Sequence, residues 1–112
     1  MEISTRLRQD VSIIDCSGRL TASDGGAQLR RTVETLLKQG SLKILLNLQG
    51  LNFMDSSGLG ELVRAKNLAA GRGAVLKLVH VEGRVQDVMA LANATSSFKI
   101  YNVESTAVSS YR

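Results

Sequence analysis

The stretch Asn52-Phe53-Met54-Asp55-Ser56-Ser57-Gly58-Leu59-Gly60-Glu61-Leu62-Val63 decides the fold. Directly before it, Ile44-Leu45-Leu46-Asn47-Leu48 is almost continuously apolar and reads as a strand covered on both faces. Directly after it begins, Leu59, Leu62, Val63, Ala69 and Ala70 recur at helical spacing. Asp55, Ser56 and Ser57 therefore stand where a strand and its loop hand over to a helix. Asp and Ser side chains at such a place accept from the first unpaired N–H groups of the helix. The same N–H groups, with the helix dipole, favour an added anion such as phosphate. Each serine is thus both a candidate cap and a candidate switch.

Toward the N-terminus, residues 3–7 and 11–17 read as two short strands joined at Gln9-Asp10, a hairpin. Gly18 ends the second. Thr21, Ser23 and Asp24 offer N-caps for a helix whose apolar face is Leu29, Val33, Leu36 and Leu37. Gly40 suits its C-terminal end. The strand over 42–48 follows, then the motif loop and a helix to about Ala70. Gly71 and Gly73 punctuate. Residues 74–79 read as another buried strand, and Val85, Val88, Met89 and Ala92 mark a short helix. A polar break over 93–97 precedes an edge strand at 98–101 and a terminal helix at 104–110.

Alternation of this kind builds an α/β fold. The expected sheet is mixed but mostly parallel, with four to five strands and about four helices, all in one domain over residues 1–112. Leu45, Leu46, Leu48, Leu62, Val63, Val75, Leu76 and Leu78 are the expected core. With 4% aromatic residues and no Trp, that core must be aliphatic.

Composition excludes several classes. Cys16 is the only cysteine, so no intrachain disulfide forms; its strand context makes it a small buried hydrophobe. No apolar run approaches the ~20 residues of a membrane span. The first residues carry no signal-peptide pattern, and a cytoplasmic location without membrane insertion is expected. The net charge is +4, but the basic residues are dispersed and only Arg30-Arg31 are adjacent. Nucleic-acid binding wants a clustered face with aromatics, so none is expected.

Catalysis is poorly provided for. A nucleophile elbow needs Gly two residues before and after its serine. Met54 and Asp55 occupy the preceding positions for Ser56 and Ser57, so neither fits. The one histidine, His80, reads as a polar residue closing a strand. No Cys/His cluster or acidic group has metal-ligand spacing, so no metal or cofactor is expected. Gly58-Leu59-Gly60 lacks the lysine of a phosphate loop, and Gly25-Gly26 is no dinucleotide fingerprint. Asp15 stands alone where a metal-dependent phosphoacceptor would need an acidic pair. The chain is not expected to be an enzyme.

The stretch Phe53-Met54-Asp55-Ser56-Ser57-Gly58-Leu59-Gly60 resembles the signature of STAS domains, most closely that of bacterial anti-sigma factor antagonists. Gly18-Arg19-Leu20-Thr21-Ala22 with Leu29-Arg30 resembles the family's first strand-to-helix junction. Leu45-Leu46-Asn47-Leu48 resembles its core strand, and Val85 to Met89 with Phe98-Lys99-Ile100-Tyr101 its closing helix and strand. The resemblance implies a STAS-like fold. It further implies an anti-sigma factor antagonist that binds an anti-sigma factor with serine kinase activity, is phosphorylated at Ser56, and is restored by a phosphatase. Asp55, Ser57, Gly58, Leu59 and Gly60, with Thr21, Ser23 and Asp24, would form the partner-binding patch. Asp55 would position the Ser56 hydroxyl, Ser57 would be a cap or loop residue, and Gly58 and Gly60 would keep the surface open for close approach of a partner, with close helix packing the other role open to Gly60. Other family members are implied by the same likeness: a scaffold in a stress-signalling complex, or an accessory subunit of a lipid transporter, neither of them phosphorylated. The positive net charge departs from the acidic balance of many antagonists.

Overall fold

The computed structural model describes residues 1–112. Five strands form one sheet whose spatial order is the chain order: β1 (Glu2–Arg8), β2 (Val11–Leu20), β3 (Lys43–Met54), β4 (Val75–Val79) and β5 (Ile100–Tyr101). β1 runs antiparallel to β2 through a tight turn at Gln9, whose φ is 57°. Every other pairing is parallel. The sheet is therefore mixed and mostly parallel, as expected.

The parallel strands are joined by α1 (Gly26–Lys38), α2 (Ser56–Gly71) and α3 (Gly83–Leu91), and α4 (Glu104–Ser109) closes the chain. A single 3-10 turn, Thr95–Ser97, fills the polar break ahead of β5. Each right-handed crossover advances by one strand in the same direction, so α1, α2 and α3 all pack on one face. There Leu29, Val33, Leu62, Ala65, Val85 and Met89 meet Ile14, Ile44, Leu46, Leu48 and Leu78 in one large apolar cluster. The opposite face is smaller. Val11, Ile13, Leu45 and Val79 are covered there by Ala107 and Val108 of α4, with Tyr101 and Tyr111 at the border.

Six of the eight expected core residues are buried. Val63 and Val75 are not, at 36% and 50% exposed. Val63 follows Leu62 by one helical step of about 100°, which turns it off the sheet-facing stripe. Val75 opens β4 beyond the reach of β5, which pairs only with Leu78 and Val79. Boundaries also differ. β2 runs to Leu20 rather than ending at Gly18, and β3 runs to Met54 rather than ending at 48, with two register shifts between them. The N-cap of α1 is Gly25, with φ 87° and no side-chain cap bond, rather than Thr21, Ser23 or Asp24. Glycine takes that left-handed backbone without the Cβ penalty.

Candidate functional site

The extension of β3 reduces the expected motif loop to one residue. Asp55 has extended backbone (φ −113°, ψ −175°), and its Oδ1 accepts the Gly58 N–H at 2.8 Å. Its own carbonyl accepts from Leu59 N at 2.9 Å. Asp55 is thus the cap, and its carboxylate also complements the positive end of the helix dipole. Ser56 and Ser57 are the first two helical residues, both exposed, and neither hydroxyl is engaged by the protein. Ser57 is therefore not the cap.

The platform under these serines comes from the parallel pairing of β2 and β3, which sets Arg19 opposite Phe53 and Leu20 opposite Met54. The start of α2 lies directly on the end of β2: a Cβ on Gly58 would stand 2.0 Å from the Leu20 carbonyl oxygen. Beside it the chain turns. Thr21 N–H donates to the Asp24 carbonyl at 2.9 Å, and Asp24 N–H donates to Thr21 Oγ1 at 3.0 Å. So the two sequence segments expected to share a patch do adjoin. Ser56, Ser57, Ser23 and Asp24 are its exposed outline, and Asp55 and Gly60 are half-buried. Thr21, Gly58 and Leu59 lie beneath it, each under a tenth exposed, so Gly58 serves the close packing of α2 on β2 rather than holding the surface open for a partner. A Cβ on Gly60 would meet nothing within 4 Å, so Gly60 serves no close helix packing.

Two arrangements escaped the reading of the sequence. Glu61 is only 6% exposed and is held by Arg30 at 2.5 Å and Arg64 at 3.3 Å. Its stem lies where a Cβ on Gly26 would be, 2.8 Å from Glu61 Cγ and Cδ. This buried, paired carboxylate ties α1 to α2 just behind the serines. A signal existed: Glu61 falls on the same helical stripe as Gly58, Leu62, Ala65 and Ala69. The second arrangement stacks Arg19 and Arg84 on Phe53, with guanidinium carbons 4.2 and 4.8 Å from the ring centroid. It joins three elements and leaves no local sequence trace.

The remaining reactive side chains lie apart from the serines in contact terms. His80 follows β4 with φ 62°, and its N–H donates to the Tyr101 carbonyl. Its Nδ1 is buried without a hydrogen-bond partner, 3.7 Å from a Glu82 oxygen. Cys16 is 4% exposed, and burial, with Asp15 alongside, pushes its thiol up to about 12. No three His, Cys, Asp or Glu side chains gather in a way that could hold a metal ion, and no helix is long and apolar enough to cross a membrane.

Comparison with known proteins agrees with this architecture. The STAS domain model matches residues 2–107. A candidate anti-sigma factor antagonist from Thermotoga maritima is 26% identical and superposes with a TM-score of 0.85, covering 96% of this chain and 92% of that one. The anti-sigma factor antagonist SpoIIAA, unphosphorylated, is 20% identical with a TM-score of 0.73, covering 99% and 98%. Phosphorylated SpoIIAA of Bacillus superposes similarly, at 0.72 and 20% identity over 99% of this chain and all of that one. A sulfate transporter family protein from Wolinella succinogenes shares the fold at 14% identity, with a TM-score of 0.78 over 93% and 86%.

Proposed function

The chain belongs to the STAS domain family, and from that premise we propose that it is an anti-sigma factor antagonist switched by phosphorylation of Ser56. The observation that carries this reading is the setting of Ser56. Its hydroxyl is exposed and unengaged at the first turn of α2, on backbone held rigid by the Asp55 cap and by the contact of Gly58 with Leu20. In this reading the protein is a binding module and a substrate, with no catalysis of its own. It docks on an anti-sigma factor that is a serine kinase, and so frees the sigma factor for transcription. The kinase brings the ATP, and a phosphatase reverses the modification. Asp55, Ser57, Gly60, Ser23 and Asp24 take part in the docking surface, and Thr21, Gly58 and Leu59 support it from below. Such a cycle belongs in the cytoplasm.

The switch follows from charge. A phosphate adds about −1.5 to −2 at neutral pH. At the helix N-terminus the dipole tolerates it, against repulsion from Asp55, so the fold survives. Across a desolvated interface the same uncompensated charge costs several kcal/mol, roughly the difference between a tight complex and none. A second reading, a scaffold or transporter-associated STAS subunit that is never phosphorylated, draws support from the likeness to the sulfate transporter family protein.

Incubation with the cognate serine kinase and ATP, followed by mass spectrometry of the phosphosite, separates the two. Label on Ser56 supports the antagonist. Label on Ser57 alone overturns the residue assignment, and label on neither favours the scaffold.

A further inference from the structure

Phe53 stands one residue before the end of β3, and two cations converge on it. Arg19 arrives from β2, opposite Phe53 in the parallel pairing. Arg84 is the second residue of α3. Their guanidinium carbons lie 4.2 and 4.8 Å from the same ring centroid. Attraction to the ring quadrupole offsets part of their mutual repulsion. Little else does. Arg19 has one counter-ion, Asp24 at 3.8 Å, and both side chains are about half exposed. Arg84 is exposed and in no ion pair. Stacking on a ring occupies a guanidinium's flat face and leaves its in-plane N–H fork free, the geometry that binds a carboxylate through two hydrogen bonds.

The other basic groups of the nearby surface are differently disposed. Arg30 and Arg64 turn to Glu61, Arg6 and Arg8 to Glu104, and Lys43 to Asp10. Other cations, Arg31, Lys38, Arg72 and Lys99 among them, also lack a carboxylate partner, but Phe53 is the one ring on which two cations converge.

We propose that Arg19, Phe53 and Arg84 form the acceptor site for acidic side chains of the protein partner, extending the docking surface beside Ser56. The proposal rests on the antagonist reading and names the chemistry of what docks: Asp or Glu carboxylates gripped by two pre-oriented guanidinium forks. It also gives phosphorylation a second effect. A phosphate three residues along the chain competes for the same cations, so the modification both repels the partner's carboxylates and occupies the groups that hold them.

The test uses the full chain with two separate readouts. In the first, isotope-labelled protein is titrated with a hexaglutamate peptide at low and then physiological salt. The Arg19 and Arg84 Nε–H and Phe53 ring signals shift, salt weakens the effect, and R19Q/R84Q abolishes it while circular dichroism shows the fold unchanged. Shifts spread over Arg30, Arg31 and Arg72, or tighter binding of single-stranded DNA than of the peptide, each overturn the proposal. In the second, the cognate serine kinase is incubated with ATP and each protein in turn. R19Q/R84Q raises KM by about tenfold or more, the scale of losing charge-assisted hydrogen bonds, with kcat little changed. Equal KM values overturn the acidic-partner site and leave the antagonist reading standing. Absence of label on the wild type overturns the antagonist reading, and the peptide titration then decides the site by itself.

Discussion

Gly58 and Leu20 are in backbone contact: a Cβ added to Gly58 would stand 2.0 Å from the Leu20 carbonyl oxygen and 2.9 Å from Met54 Cγ. Two chain segments 38 positions apart (58 − 20) thus meet without an intervening side chain, and the first turn of α2 is set directly on the end of the sheet. Two residues further on, Gly60 faces open space.

The two glycines should therefore respond oppositely to alanine. Gly58→Ala drives a methyl into backbone and should cost at least ~1–3 kcal/mol, the range of overpacking. Gly60→Ala should be neutral or stabilise by up to ~1 kcal/mol, because it removes unfolded-chain entropy at a helical position with free space. Urea midpoints at constant m-value decide this. Equal midpoints for the two variants would mean that α2 does not sit on β2 as described.

Asp55→Ala should lose ~1 kcal/mol, the worth of a side-chain cap. Ser57→Ala should stay within about ±0.5 kcal/mol, since its hydroxyl is bonded to nothing in the protein. It should still accept phosphate at Ser56. A Ser57→Ala loss as large as that of Asp55→Ala would show that the cap is shared.

Ser56→Ala should fold normally and stay bound to the kinase in the presence of ATP. Ser56→Asp should also fold normally yet bind weakly, because it places a fixed negative charge beside Asp55. The mimicry is incomplete, as a carboxylate has less charge and fewer acceptor oxygens than a phosphate. Calorimetric titration against the kinase reads both variants; tight binding by Ser56→Asp would remove charge as the basis of the switch.

Leu46→Ala should cost ~2–5 kcal/mol. Leu46 is fully buried and lies on the face that α1, α2 and α3 cover, so the cavity has little room to collapse. A loss under about half a kcal/mol, the scale of an ordinary surface change, would place this strand elsewhere.

Acid should weaken the fold through Glu104. Hydrogen bonds from Arg6 lower its carboxyl to about 2, with Arg8 adding to the effect and partial burial opposing it. The folded value lies below the ordinary glutamate value of about 4.5. The ion pair's contribution is therefore full above about 4.5 and lost as pH falls toward about 2. Its arginine partners are about two-fifths exposed, so the effect should be no more than ~1 kcal/mol after solvent screening. Asp15, bonded to Arg6 and Asn47, titrates below its usual range and adds to the same trend. Glu104→Gln should flatten the stability profile between those pH values; an unchanged slope would assign the acid sensitivity elsewhere.

Periodicity recovered the elements because each helix and buried strand carries its own apolar pattern. It failed where tertiary contact overrides local signal. Gln49-Gly50 looks like the end of a strand, yet β3 continues to Met54. There Gly50 lies flat on its neighbour, with Ser17 Cβ and the Cys16 carbonyl 2.7 and 2.8 Å from where its own Cβ would be. Thr21, Ser23 and Asp24 look like caps because all three can accept hydrogen bonds, yet Thr21 is spent closing a turn with Asp24 and leaves the helix start to Gly25. At the candidate site, the Asp-Ser-Ser-Gly junction was legible as chemistry. The Arg19 and Arg84 stack on Phe53 was not, because it depends on strand register and on where α3 begins.

Because α1, α2 and α3 crowd one face of the sheet, the other depends on the six residues of α4. A helix of that length does not persist unaided. It is docked by Tyr111, whose hydroxyl donates to the Ile44 carbonyl, and by ties that join opposite ends of the chain: Arg6 and Arg8 to Glu104, and Arg112 to Gln9 across 103 positions. Contacts so distant in sequence carry a large loop-closure cost and should form after the hairpin. They also release first, so amide exchange at Ala107 and Val108 should proceed by detachment of this face alone, well below the free energy of global unfolding. Protection at the start of α2, built on the other layer, should then persist at the level of global unfolding.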